Sequence, residues 1–431
     1  MMAAGRAGHG QLRPSWAPDP ALAAALLAIS LPAVLAVAET FTRTSSSMLD
    51  LRVYLWGGGF VVHGQNPYQH IFRHFLFFTY TPFAAAVFAI LVPLNLMVTR
   101  WLITAASVAS LVAVVWLTWG SLGQPRSQGR VGWTLGATAV VIWIEPVRQT
   151  LSYGQVNLLL MLLIVADLCL PDTRWWKGIG VGIAAGFKLT PLIFIPYLIL
   201  TRRFRAAAVA AATFAVTGLG SALLMPGASH DYWLNGLFLT PNRIGNVRFI
   251  GNQSLYGAIA RLAGSTTAAR PYQLAAVAVV GTAGLLLAAW ASRRGQEMVG
   301  ILTCALTGLL VSPISWSHHW VWVAPMMVVL AHLATSPLAL PAARRWRLAC
   351  WLGVATVAAV FSGVLWLEPA SAVQGEVMTG LQQLLGDIYV LAGLAGLGVI
   401  AAALAYARRR DRRPSATVAV AASEQPLAQP G

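Results

Sequence analysis

Residues 178–201 read GIGVGIAAGFKLTPLIFIPYLILT, a run that is apolar apart from Lys188, Thr190, Tyr197 and Thr201. Read as one helix, it places an ammonium group near the middle of a membrane span, which is costly even when a long side chain reaches for the interface. Read as two short helices broken at Lys188-Leu189-Thr190-Pro191, it delivers Lys188 to one face. Pro191 supplies the break, because proline cannot donate the helical hydrogen bond and crowds the preceding turn. Broken helices of this kind are allowed where the freed backbone lines a polar cavity.

The rest of the chain sets that choice in a membrane. Of 431 residues, 58% are hydrophobic and 10% charged, and the mean hydropathy is +0.68. Many windows of about 20 residues are apolar enough to cross a bilayer as helices. A membrane barrel would instead show alternating segments of about ten residues, and a soluble helical domain would not carry so many such windows. The formal charge of +16 does not indicate nucleic acid, because the basic residues stand in short clusters between apolar runs and mark topology. Only two of the 29 basic residues are lysines, Lys177 and Lys188. Cys169, Cys304 and Cys350 lack metal or redox spacing and read as packing residues.

The tail to Pro20 carries Arg6 and Arg13, which place it in the cytoplasm, and residues 21–38 form a retained first helix, not a cleaved signal. Asp50 then lies outside, in a polar, aromatic segment over 41–81. Further apolar runs cover 82–98, 99–120, 131–145, 155–171, 178–201, 205–225, 271–292, 299–314, 320–335, 346–366 and 388–407, giving about twelve crossings.

Simple alternation puts the clusters at 202–205, 293–294, 344–347 and 408–413 inside, but leaves Arg126, Arg130, Arg174 and Lys177 outside and Glu145 to Asn157 inside. A second threading makes 82–98 a re-entrant or surface helix and breaks 178–201 at Lys188. Every later basic cluster is then cytoplasmic, and Lys188, Gln155 and Asn157 share the face of Asp50. We prefer it on the positive-inside bias. The expected organisation is a cytoplasmic tail over 1–20, a single all-α transmembrane catalytic domain over 21–407, and a basic, then disordered, cytoplasmic tail over 408–431. Outer loops are expected at 41–81, 226–271, 312–319 and 368–387.

That outer face gathers Asp50, Arg52, Arg148, Gln155, Asn157, Lys188, Arg243, Arg248, His318 and His319. One acid among cations and amides suits an anionic headgroup together with a hydroxyl that must lose its proton. Each feature also has a plainer reading. Asp50 can be a solvated helix cap, the aromatics an interfacial belt, and the His pair a satisfied polar corner, a metal site, an acid/base pair or a phosphate ligand. Adjacent side chains on a helix point about 100° apart, so both histidines can bind one ion only on irregular backbone. No Asp-x-Asp pair stands beside them to hold a nucleotide-sugar through a divalent ion.

Taken in order, Asp50-Leu51-Arg52-Val53-Tyr54, Tyr80-Thr81-Pro82-Phe83-Ala84-Ala85, Glu145-Pro146, Tyr153-Gly154-Gln155-Val156-Asn157, Lys188-Leu189-Thr190-Pro191, Asn252-Gln253-Ser254 and the stretch SPISWSHHWVW over 312–322 form a pattern. It resembles the actinobacterial polyprenol-phosphate-mannose-dependent α-1,2-mannosyltransferases, glycosyltransferase family 87, enzymes of the C-type membrane fold. Thr81 departs from that pattern, where the family prefers proline.

The resemblance implies a multi-pass plasma-membrane enzyme with its site on the outer face, Asp50 at the position of the catalytic base, and the His318-His319 corner facing donor phosphate or acceptor. It further implies transfer of mannose from polyprenyl-phosphate-mannose to phosphatidylinositol mannosides, or to the lipomannan and lipoarabinomannan grown from them. An α-linked product from a β-linked carrier means inversion, with one base and neither metal nor cofactor. Arg52, Lys188, Arg148, Gln155, Asn157, Tyr80, Asn252, Gln253, Trp316 and Arg243 are the candidates for binding substrate or donor phosphate. The rival from another class is a lipid-linked sugar flippase or transporter, which would need no base.

Among the thirteen acids, Asp19, Glu297, Asp411 and Glu424 fall inside, as does Asp172 in the second threading, while Asp167 lies within a span. Glu39, Glu145, Asp231, Glu368, Glu376 and Asp387 are possible outside. Only Asp50 joins an outer position to an adjacent arginine and the family's motif.

Overall fold

In the computed structural model of the protein, the 178–201 run is interrupted where its ammonium stands. The model describes residues 18–41, 48–73, 76–336, 343–368, 373–374 and 378–411; the expected tails over 1–17 and 412–431, and parts of the expected outer loops, lie outside them. The chain folds as α1 (Pro20–Phe41), α2 (Leu49–Val62), a two-stranded antiparallel hairpin (Ile71–Phe72 with Leu76–Phe77), α3 (Pro82–Ala89), α4 (Leu96–Ser121), α5 (Gln128–Val141), α6 (Glu145–Tyr153) and α7 (Asn157–Leu168). It continues as α8 (Ile179–Phe187), α9 (Phe194–Leu200), α10 (Phe204–Leu224), α11 (Pro226–Ser229), α12 (Leu255–Leu262), α13 (Thr266–Arg293), α14 (Glu297–Val311), α15 (Val323–Thr335), α16 (Ala343–Val360), α17 (Gly380–Gly386) and α18 (Ile388–Asp411).

Lys188 ends α8 in extended backbone (φ −147°, ψ 133°), and a 3-10 turn at Thr190–Ile193, with Pro191 in its first turn, precedes α9. The 82–98 run is likewise no span. Thr81 caps the eight-residue α3 through its hydroxyl, which accepts from Ala84 N at 3.1 Å, and α4 starts only at Leu96. The departure from proline at Thr81 therefore keeps a helix cap.

The expectation of about twelve spans is not supported. Four helices among the described residues are long and apolar enough to cross: α4, α10, α13 and α18; α6 and α7 together make a fifth, bent by 116°. The apolar runs were counted by length, but α5, α7, α14 and α15 hold only 14, 12, 15 and 13 residues because turns and prolines interrupt them. Long helices nonetheless carry outward apolar surface. On α10, Val216, Leu219 and Leu223 are 67%, 67% and 86% exposed, a stripe that lipid solvates and water would not.

Ion pairing separates the two threadings. Arg203 grips Glu297 through two bonds of 2.7 Å and reaches Asp172, which pairs with Lys177 at 2.7 Å. Arg205 bonds the carbonyls of Asp172 and Arg174, and Arg293 that of Leu200. The 172–177 turn therefore shares an end of the molecule with the clusters at 202–205 and 293. Simple alternation sets them on opposite sides, and the broken-helix threading sets them on one.

Candidate active site

The site is assembled on two breaks, one between α6 and α7 and one at Lys188. Met48 opens α2 in the left-handed region (φ 59°), and its amide donates to Ser152 O at 2.9 Å, pinning the first turn of α2 to the end of α6. Gly154 closes α6 with φ +65°, and a Cβ there would stand 2.8 Å from Leu51 Cβ and 2.7 Å from Met48 Sδ. Only glycine permits this approach. Gly154→Ala should therefore cost about 1–3 kcal/mol from left-handed backbone and clash. A lower melting temperature in detergent, with loss of activity, checks it.

The approach brings Gln155 against Asp50. The Gln155 Oε1 accepts from Tyr80 Oη at 2.9 Å, which leaves its amide hydrogens for the Asp50 carboxylate. Tyr54 Oη donates to Tyr80 Oη at 2.9 Å and its ring stacks on Phe88 at 4.2 Å, so the network is held by packing. Asp50 is half-buried, and its Oδ2 is shielded without a hydrogen-bond partner. Burial pushes its carboxyl from 3.8 up to about 6, against the pull of Gln155 and of the Lys188 charge.

The second half of the site comes from the 312–322 corner. Thr150 Oγ1 and Asn157 Nδ2 both donate to His318 O at 2.9 Å, fixing the backbone between the two histidines. Asn157 then turns its Oδ1 to Lys188 Nζ at 3.2 Å, and Lys188 Nζ stands 3.0 Å from His319 Nε2. The rings of His318 and His319 lie perpendicular, 4.8 Å apart. Burial, then the neighbouring Lys188 and His318, hold His319 well below the ordinary imidazole value, so the ring is neutral at pH 7. Its Nδ1 accepts the Trp316 amide at 3.2 Å. The Lys188 ammonium at Nε2 and the Trp316 amide at Nδ1 both point a donor at the ring, and a neutral imidazole has one acceptor nitrogen. One of those two donors is therefore left for another acceptor.

Asn157, Lys188 and His319 also line a cavity of about 60 Å³, whose apolar wall includes Leu160, Met161, Ile164, Ile193, Phe194 and Leu309. Asn157 to Ile164 spans about 10 Å of helix.

The model of glycosyltransferase family 87 matches residues 78–313. The chain belongs to glycosyltransferase family 87. It is 37% identical over 404 residues, 90% of each chain, to the polyprenol-phosphate-mannose-dependent α-(1-2)-phosphatidylinositol pentamannoside mannosyltransferase of Mycobacterium tuberculosis (strain CDC 1551 / Oshkosh). It is 37% identical over 398 residues to the protein of that name from Mycolicibacterium smegmatis, across 88% of this chain and 91% of the relative. The phosphatidylinositol mannoside mannosyltransferase of M. smegmatis is 35% identical over 316 residues, 66% of this chain and 70% of its own. No solved structure matches. Family membership makes this a membrane glycosyltransferase and sets the transporter reading aside.

Not every candidate of the family 87 enzyme converges on Asp50 and Lys188. Asn252 and Gln253 are fully buried and spend their amides on backbone: Asn252 on Ser315 N, Val247 O and Pro313 O, Gln253 on Ile250 O, Gly386 O and Tyr389 N. They stand behind the corner and shape it. Arg148 turns to Ser362 O at 3.4 Å. Arg243 lies 4.1 Å over the Phe77 ring and donates to Tyr68 O at 2.7 Å, clasping the segments over 41–81 and 226–271 together. Trp316 packs edge-on against Phe249 at 6.0 Å. Arg52 is half-buried, two residues beyond Asp50 on α2. Thr150 and Tyr54, which hold the corner and the carboxylate network, were not among the candidates. Their hydroxyls carry no spacing signal, since Thr150 meets Asn157 only across the sharp α6–α7 bend.

Proposed function

We propose that the chain transfers mannose from polyprenyl-phosphate-mannose to a phosphatidylinositol mannoside on the outer face of the plasma membrane, forming an α-1,2 linkage with inversion. The observation that carries this reading is the head of the cavity. Lys188 Nζ stands 3.0 Å from His319 Nε2 at the polar end of a cavity whose wall is otherwise largely apolar. In this reading a phosphate oxygen accepts from the Lys188 ammonium, and the isoprenoid chain lies along the apolar wall.

In the proposed reaction the Asp50 carboxylate takes the proton of an acceptor mannose hydroxyl as that oxygen attacks the anomeric carbon. The bond from the anomeric carbon to the phosphate oxygen breaks, and its electron pair leaves with the polyprenyl phosphate. That leaving group gains a negative charge, which the Lys188 ammonium, with His319 beside it, stabilises in a site of low dielectric. The charge is met by side chains, so the mechanism calls for no cofactor. His318 acts through its carbonyl, which Thr150 and Asn157 hold. The matches to enzymes named for the pentamannoside extend over 404 and 398 residues, against 316 for the enzyme named for phosphatidylinositol mannoside without a stated length, which favours the pentamannoside as acceptor.

Purified protein incubated with polyprenyl-phosphomannose and the pentamannoside is expected to add one hexose that α-1,2-mannosidase removes. No elongated acceptor, from the pentamannoside or from smaller members of the series, would overturn the reading.

A further inference from the structure

Glu145 is a fully buried acid that the proposed reaction does not use. Its carboxylate collects three hydrogen bonds from three other segments. Ser317 Oγ donates to Oε1 at 2.7 Å, Trp366 Nε1 donates to Oε1 at 2.8 Å, and Tyr389 Oη donates to Oε2 at 3.0 Å. Its own amide donates to Phe361 O at 2.7 Å. One side chain thus joins the start of α6, the residue before the His pair, the 361–367 turn and the start of α18.

The position of Glu145 on α6 gives this joint a consequence. It is the first residue of α6; Thr150, in the middle, holds His318 O; and Gln155, just past the end, holds Asp50. α6 is therefore a strut between the two halves of the site, and Ser317 is fastened to its first turn. If that fastening slackens, His319 and Lys188 shift relative to the Asp50 carboxylate. A displacement of about 1 Å between reacting groups can cost on the order of 100-fold in rate.

We infer that Glu145 is a positioning residue that sets the distance between the Asp50 carboxylate and the Lys188–His319 pair by clamping Ser317 to α6. The inference rests on the assignment of the reaction to that site.

The chemistry of the donors makes the test sharp. An indole N–H can only donate, whereas serine and tyrosine hydroxyls donate or accept. Glutamine at 145 keeps an acceptor for Ser317 and Trp366 and offers its amide hydrogens to the Tyr389 oxygen, so the clamp survives. Alanine removes it.

The experiment measures kcat and donor KM on folded, detergent-purified Glu145→Gln, Glu145→Ala and Ser317→Ala, and on the double variant Glu145→Ala with Ser317→Ala. Glu145→Gln is expected within about fivefold of wild type, and Glu145→Ala about 100-fold lower in kcat with KM little changed. Ser317→Ala is expected about tenfold lower, and it should add nothing to Glu145→Ala, because both break the same contact.

Three results overturn the proposal: wild-type kcat in Glu145→Ala, a Glu145→Gln variant as inactive as Glu145→Ala, or additive losses in the double variant. Should Glu145→Ala not fold, Ser317→Ala and Trp366→Phe each remove one donor from the intact carboxylate, and unchanged kcat in both is the overturning result. Failure of the reaction reading shows differently, as no product from the wild-type protein.

Discussion

Asp50→Asn is expected to lower mannosyl transfer by at least about 100-fold, within the range that a positioned general base supplies, while leaving the protein folded. Asparagine keeps the shape and an acceptor for Gln155, and it loses only the ability to take a proton. Burial raises the Asp50 carboxyl to about 6. The base must be ionised, so the wild-type rate should rise about tenfold per pH unit below 6 and level off above it. The stability effect has the opposite sign. A carboxyl raised in the folded state favours the native protein most when protonated, and that contribution is lost as pH rises through about 6. At pH 7.5 the variant should therefore melt no lower than wild type. Full activity in Asp50→Asn, or a rate independent of pH between 4.5 and 7, would remove Asp50 as the base.

Much of this arrangement was legible because the membrane makes charge expensive. A lysine in an apolar run with a proline three residues later requires a broken helix, and the chain leaves the helix at Lys188. The same reasoning put Gln155, Asn157 and Lys188 on the face of Asp50, and the structure joins them through Gln155 and Asn157. What stayed hidden follows equally from physics. Hydropathy measures how long an apolar run is and not whether its backbone is continuous, so short helices between turns were counted as crossings. Nor does an amide reveal its partner. Asn252 and Gln253 read in sequence just as Gln155 and Asn157 do, yet they serve backbone behind the corner. In sequence Glu145 is only one of several acids that are possible on the outer side, because the three groups that converge on it lie 172, 221 and 244 residues away along the chain.

Lys188→Met is expected to lower kcat/KM for the donor by about 100- to 1,000-fold, the loss that follows removal of a donor aimed at developing charge. Methionine matches the length and bulk of lysine, so packing along the cavity is kept while the charge-assisted bond to phosphate is lost. The same variant should bind the product, polyprenyl phosphate, more weakly, because the product carries more negative charge than the donor. Lys188→Arg should not rescue it. The amine fits between Asn157 Oδ1 at 3.2 Å and His319 Nε2 at 3.0 Å, a space that a planar guanidinium cannot enter without moving one of them. His319→Ala removes the imidazole that holds the Lys188 amine in place and should reproduce most of the Lys188→Met loss, and the two together should lose less than the product of their separate effects. If Lys188→Met and His319→Ala both turn over donor at the wild-type rate, the phosphate does not bind beside them, and the cavity next to that point has lost its claim to the isoprenoid chain.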